Sequence, residues 1–184
     1  TFEELGVNEA IRDAIVELGF EHPMPVQEEV IPYLLGENND VIALAQTGTG
    51  KTAAYGIPVL QKTDATIKTT QALILSPTRE LCLQIADDLK SFSKNIDGLH
   101  IVAVYGGASI TTQIHELRHG AQIIVATPGR LIDLMERKVV KLENVKNIVL
   151  DEADEMLNMG FTESINAIFE GVPADRNTLL FSAT

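Results

Sequence analysis

The sequence contains one cysteine, Cys82, which excludes a disulfide framework and a cysteine-built metal site. Aromatic residues are only 5% of the chain, so any core must be mostly aliphatic. No apolar run approaches the roughly 20 residues that a membrane-spanning helix requires. The opening residues Thr1-Phe2-Glu3-Glu4 have neither the basic nor the apolar region of a secretory signal. Internal repeats, low-complexity tracts and linkers are also missing. These features predict a soluble, cytoplasmic, monomeric domain without a membrane partner. Positive charge is scarce as well: 14 Lys and Arg stand against 26 Asp and Glu, a net charge of −12. A broad basic face for nucleic acid is thereby excluded.

What charge there is has a pattern. Residues 1–40 carry ten acids against Arg12, a net of −9, and residues 151–184 carry seven against Arg176, a net of −6. The middle, 41–150, holds twelve basic residues against nine acids, a net of +3. Any polyanion surface is therefore expected in the middle, as a set of placed contacts.

The length of 184 residues, 45% of them hydrophobic, suits one α/β domain. Asn8 can cap a helix with Ile11, Ala14, Ile15 and Leu18 on one face, ended by Gly19. A second helix follows Pro25, with Val30, Ile31, Leu34 and Leu35, and Gly36 can close it. Pro32 inside it argues against a regular helix, and Asn38-Asn39-Asp40 reads as a turn. Short, β-branched apolar runs then recur at Val41–Ala45, Ala72–Leu75, Ile101–Val104, Ile123–Ala126, Ile148–Leu150 and Thr178–Phe181. Between them lie amphipathic segments such as Arg79–Phe92, whose stripe of Cys82, Ile85, Ala86 and Leu89 marks Cys82 as a packing residue. Strands apolar on both faces, alternating with helices, predict an α/β fold: a central, mostly parallel sheet with helices on both faces. Ligands of such sheets gather beyond the carboxyl ends of the strands.

After the first of these strands comes AQTGTGKT, Ala45-Gln46-Thr47-Gly48-Thr49-Gly50-Lys51-Thr52, and then a helix-like Ala53-Ala54-Tyr55. The spacing is that of a phosphate-binding P-loop, with Ala45 in place of its first glycine. Gly48 and Gly50 let the backbone turn its N–H groups into one anion-binding hollow, and the following helix adds its positive end. Lys51 can reach the β- and γ-phosphates of a nucleoside triphosphate, and the Thr52 hydroxyl can ligate Mg²⁺. A second acid-bearing strand end completes such a site. Ile148–Leu150 leads into Asp151-Glu152-Ala153-Asp154, with Asp151 placed for Mg²⁺ through water and Glu152 for polarising an attacking water.

That tetrapeptide spells DEAD, and the chain resembles the DEAD-box RNA helicases along essentially its whole length. Residues 19–27, Gly19-Phe20-Glu21-His22-Pro23-Met24-Pro25-Val26-Gln27, are similar to the family's adenine-reading Q motif, with an isolated aromatic, Phe2, upstream. The resemblance implies that Gln27 pairs with the adenine edge, that Phe20 stacks near the base and that Pro25 lines the site; a Gln amide offers the donor and acceptor required. Three segments resemble those holding the sugar-phosphate backbone of single-stranded RNA: Pro77-Thr78-Arg79, Gly106-Gly107 and Thr127-Pro128-Gly129-Arg130. Each supplies hydroxyls, exposed N–H groups or a guanidinium, and all lie in the charge-positive middle. Ser182-Ala183-Thr184 resembles the SAT motif, in which Ser182 and Thr184 bond near Asp154 and couple nucleotide state to RNA grip.

The resemblance implies a bacterial-type, RecA-like P-loop NTPase domain, one unit over residues 1–184, whose partner is a second RecA-like domain of the same parent. That partner supplies transition-state arginines worth about 10³–10⁵ in rate. The expectation is adenine-nucleotide binding with little turnover by this chain alone. The parent is expected to couple ATP hydrolysis to local, non-processive unwinding of RNA with little sequence preference. An ATP-gated RNA clamp shares these motifs. A GTPase or a small-molecule kinase is disfavoured, since neither an Asn-Lys-x-Asp guanine reader nor an Arg-rich lid occurs.

Overall fold

A computed structural model describes residues 1–36, 40–45 and 50–183. Six strands form one sheet: β1 (Val41–Leu44), β2 (Ala72–Leu75), β3 (Ile101–Val104), β4 (Ile123–Ala126), β5 (Asn147–Asp151) and β6 (Asn177–Ser182). Their order is β1-β6-β5-β2-β4-β3, and every pairing is parallel, so the mostly parallel sheet of the sequence reading is wholly parallel among the described strands. β5 and β6 each exceed the expected runs by one residue at both ends. Asp151 is consequently the last residue of its strand and not the first beyond it. The turn expected at Asn38-Asn39-Asp40 lies largely outside the described residues.

Alternation along each strand sends its apolar side chains to two separate cores. Ile74, Val125, Val149 and Phe181 pack beneath α1 (Glu9–Glu17), α2 (Pro25–Leu35), α3 (Lys51–Lys62) and α4 (Arg79–Phe92). Their neighbours Leu75, Ala126, Ile148 and Leu150 pack on the other face, beneath α5 (Ile110–Arg118), α6 (Pro128–Glu136), α7 (Ala153–Asn158) and α8 (Thr162–Glu170). Connections running from β1 towards β3 carry α3 and α4, and those running back carry α5 to α8. A single crossover hand produces this division and places all the carboxyl strand ends on one rim.

Local chemistry fixes the helix ends. Asn8 caps α1 by accepting from the Ile11 N–H at 3.0 Å, and Gly19 takes φ +92° just beyond its end. Helix α2 runs through Pro32 to Leu35. Pro32 is exposed, so the Glu28 carbonyl that loses its helical donor can turn to solvent. Cys82 is buried, and its Sγ donates to the Val125 carbonyl at 3.1 Å, as the packing assignment expected. Among the described strands β1 is the sheet edge, paired with β6 alone, and its Ile42 and Leu44 are 79% and 72% exposed.

Candidate nucleotide site and nucleic-acid interface

Two strands and one helix start bring the phosphate-site residues together. Gly50 takes φ +79° immediately before α3, a left-handed turn open to glycine at little cost. A Cβ at this position would lie 2.5 Å from the Gln27 amide nitrogen. Lys51 then opens α3 and directs its ammonium to the end of β5, 2.7 Å from Asp151 Oδ1 and 3.8 Å from Glu152 Oε1. The Lys51 and Asp151 side chains are 6% and 0% exposed. Asp151 Oδ1 accepts no hydrogen bond among the described residues, so the Lys51 ammonium is its compensation for burial.

Asp151 Oδ2 accepts from the Tyr55 hydroxyl at 2.7 Å. Burial, followed by the Asp151 charge, holds the Tyr55 phenol well above its ordinary value, so it remains a donor. Tyr55 was missed in the sequence. Its signal was its spacing, four residues after Lys51 and hence on the same helix face. Glu152 follows in a left-handed conformation, φ 54°, and starts α7. That turn separates it from the Asp151 strand direction and leaves it partly exposed on the rim. Thr52 is in the first turn of α3. The Ala45 N–H extends the β1 ladder by donating to the Ser182 carbonyl at 2.9 Å. Gln46, Thr47, Gly48 and Thr49 lie outside the described residues, as does Thr184.

The Q-motif residues border this site. The Gln27 side chain donates to the Gly50 carbonyl at 3.2 Å and accepts from the Met24 N–H at 2.9 Å, tying the start of α2 to the start of α3. Among the described residues one N–H and one lone pair of this amide take no partner, the pair of functions that an adenine edge requires. At 1% exposure, however, the amide is covered, and meeting a base requires that cover to shift. The Phe20 ring stacks against Phe2, 6.4 Å between centroids, and tilts onto Phe92 at 5.9 Å. It lines a cavity of about 330 Å³ together with Gly50, Thr52, Gln84 and Asp88. Pro25 is the exposed first residue of α2. Asp154 lies in the first turn of α7, and Ser182 ends β6 one step beyond Phe181, the residue in register with Asp151.

Adjacent strands β2, β4 and β3 bring the other three segments to one rim. The Thr78 hydroxyl caps α4, accepting from Leu81 N–H at 3.2 Å, behind a buried Pro77. Thr127 precedes α6, Pro128 is its buried first residue, and a Cβ on Gly129 or Gly106 would meet open space. The two guanidiniums are turned onto the loop that follows β3. Arg79 lies over the Tyr105 ring, 5.1 Å from its centroid, and donates to the Gly107 carbonyl at 3.3 Å. Arg130 donates to the Ala108 carbonyl at 3.1 Å and to Gln113 Oε1 at 2.9 Å. Tyr105 and Gln113 were not singled out in the sequence, and no spacing rule marked them.

Known proteins share this sequence and fold. The chain is 48% identical over its full length to the ATP-dependent RNA helicase DeaD of Escherichia coli, of which it covers 29%. It is 49% identical to the DEAD-box ATP-dependent RNA helicase CshA of Geobacillus kaustophilus, of which it covers 39%. The chain thus spans well under half the length of these relatives. A crystal structure of a DEAD box protein from Methanococcus jannaschii matches all of this chain with a TM-score of 0.94 at 43% identity, over 50% of its own length. Saccharomyces cerevisiae Dbp5 bound to RNA and ADP-BeF3 matches with a TM-score of 0.89 at 32% identity; this chain is fully covered, with 46% of Dbp5. The RecA-like architecture and the strand-borne acids agree with a match to the DEAD/DEAH box helicase model over residues 24–184, and the chain belongs to that family.

Proposed function

We propose that this chain is the nucleotide-binding half of an ATP-dependent RNA helicase. The observation that carries the reading is the buried Lys51–Asp151 pair at 2.7 Å, set at the junction of a left-handed Gly50, the start of α3 and the end of β5. An ammonium held beside a strand-end carboxylate, at a helix start that favours anions, suits a polyphosphate with its counter-ion. The side chains present fit Mg²⁺. Asp151 is a buried carboxylate whose Oδ1 faces the Lys51 ammonium and accepts no hydrogen bond among the described residues, and Thr52 offers a hydroxyl nearby in sequence. When bound, Mg²⁺ would supply charge neutralisation at the phosphates. Lys51 would exchange its carboxylate for phosphate oxygens, Glu152 would orient water from the rim, and Gln27 with Phe20 would select adenine.

Single-stranded RNA would lie across the rim formed by residues 77–79, 106–107 and 127–130, held through its backbone and therefore with little sequence preference. Asp154 with Ser182 and Thr184 would couple the two sites. The second RecA-like domain of the parent would close over both and provide arginines at the γ-phosphate. The parent would then separate short duplexes locally and without processivity, while these 184 residues alone turn over little ATP.

Calorimetric titration of this chain with Mg-ADP and Mg-GDP tests the reading. ADP is expected to bind in preference to GDP. Gln27→Ala should erase the preference, and Lys51→Ala should weaken both affinities. Equal binding of ADP and GDP by the unaltered chain would remove the adenine reader, and no binding of either would remove the nucleotide site.

A further inference from the structure

The loop after β3 is held by its carbonyls. Gln113, on α5 and 5% exposed, accepts from the Tyr105 N–H at 3.4 Å and donates to the Tyr105 carbonyl at 3.1 Å. Its side-chain amide thus pairs with Tyr105 as a peptide group of a neighbouring strand would, carrying the ladder past the last residue of β3. The same Oε1 accepts from Arg130, whose other arm holds the Ala108 carbonyl. Arg79 holds the carbonyl of Gly107, which has φ +82°. Three carbonyls in four residues are bonded by Gln113, Arg79 and Arg130. The N–H groups of Gly106, Gly107 and Ala108, by contrast, donate to no acceptor among the described residues. Carbonyls drawn inward leave consecutive amides open at a glycine turn, the arrangement that binds an anion.

We infer that Gln113 is a positioning residue for nucleic-acid binding: it fixes Tyr105 and the Arg130 guanidinium together, so that the amides of residues 106–108 are presented to a backbone phosphate. The inference rests on the proposed RNA-binding reading of this rim and adds the group that sets its shape. Gln113 touches no ligand itself. An amide is needed because only it can both donate to and accept from one peptide while an acceptor lone pair remains for Arg130. Glu has no donor for the Tyr105 carbonyl, and Met has neither function.

The test is a nuclear magnetic resonance titration of the ¹⁵N-labelled chain with a short single-stranded oligouridylate, following the Gly106, Gly107 and Ala108 amides. In parallel, Mg-ADP affinity is measured on the same samples. Gln113→Met is expected to weaken RNA binding about tenfold or more, as loss of hydrogen bonds to a charged network does, with ADP affinity within about twofold of the unaltered chain. Gln113→Glu, close in size, is the second variant should Gln113→Met fold poorly, and it should also bind RNA more weakly. Combining Gln113→Met with Arg130→Ala should cost less than the two separate losses, because both act through one network. RNA affinity unchanged in either folded single variant overturns the inference, as does a parallel loss of ADP affinity. If the unaltered chain shifts no rim amide, the RNA reading itself fails, a result distinct from a variant that binds as well as its parent.

Discussion

Replacing Lys51 with methionine, which keeps the length of the side chain and removes its charge, should destabilise the domain measured without nucleotide. Asp151 is 0% exposed, and its Oδ1 has the ammonium as its counter-charge. Removing one partner of a buried ion pair costs about 3–5 kcal/mol, because the remaining charge is left uncompensated. The Tyr55 hydroxyl still donates to Oδ2, and the methionine adds apolar packing, so the lower end, about 3 kcal/mol, applies. For a domain of this size each kcal/mol moves the melting midpoint by about 2–4 °C, which predicts a fall of roughly 6–12 °C. Thermal melts and urea titrations of Lys51→Met read this directly. Lys51→Met combined with Asp151→Leu and Tyr55→Phe, which also removes the hydroxyl that Asp151 satisfied, provides the internal control. Replacing the whole pair with apolar side chains should recover most of the loss, since no stranded charge remains. A Lys51→Met protein that melts within about 1 °C of the unaltered chain would refute the argument, because the pair would then not be formed in solution.

Two further outcomes concern titrating groups. Burial pushes the Cys82 thiol up to about 12, so at pH 8 the folded chain holds it protonated and enclosed. Labelling by a thiol reagent should follow the rate of opening, and stability should decline as pH rises from roughly 8.5, where an unfolded thiol ionises, towards that value; rapid labelling of the native chain would contradict this. Asp88 is also raised, first by burial and then by the neighbouring Asp87. For an acid shifted upward, the penalty is present above the unfolded value and fades as pH falls through the folded one. Asp88→Asn should accordingly raise the melting temperature at pH 7 more than at pH 4, and an equal gain at both would disprove the ionic origin.

The six strands, the caps of α1 and the packing role of Cys82 were legible because period and turn chemistry are local. So was the spacing that brings Lys51 to Asp151, which follows one helix start and one strand end. Two kinds of contact were not. Tyr55 meets Asp151 across 96 positions of sequence, and its hydroxyl is hidden within the buried run Ala53–Leu60 of α3. Gln113 is the buried residue of a helix whose apolar positions, Ile110, Ile114 and Leu117, are only partly buried against the core. Its value emerges only when β3 and β4 place Tyr105 and Arg130 on either side of it. The sequence reading gave Arg79 and Arg130 to the RNA backbone through the family resemblance of their segments. It did not reveal that the two guanidiniums also engage carbonyls of the loop after β3, because those contacts join residues far apart in sequence.

The position of β1 gives the two walls of the nucleotide site unequal compliance. The strand ending in Asp151 is clamped between β6 and β2, whereas the strand leading to the phosphate loop is bonded on one side alone. Amides of β5 can exchange with solvent only through disruption of two ladders, and those of β1 through loosening of one. Strand β5 is therefore the fixed reference, and β1 is the strand with more freedom to adjust.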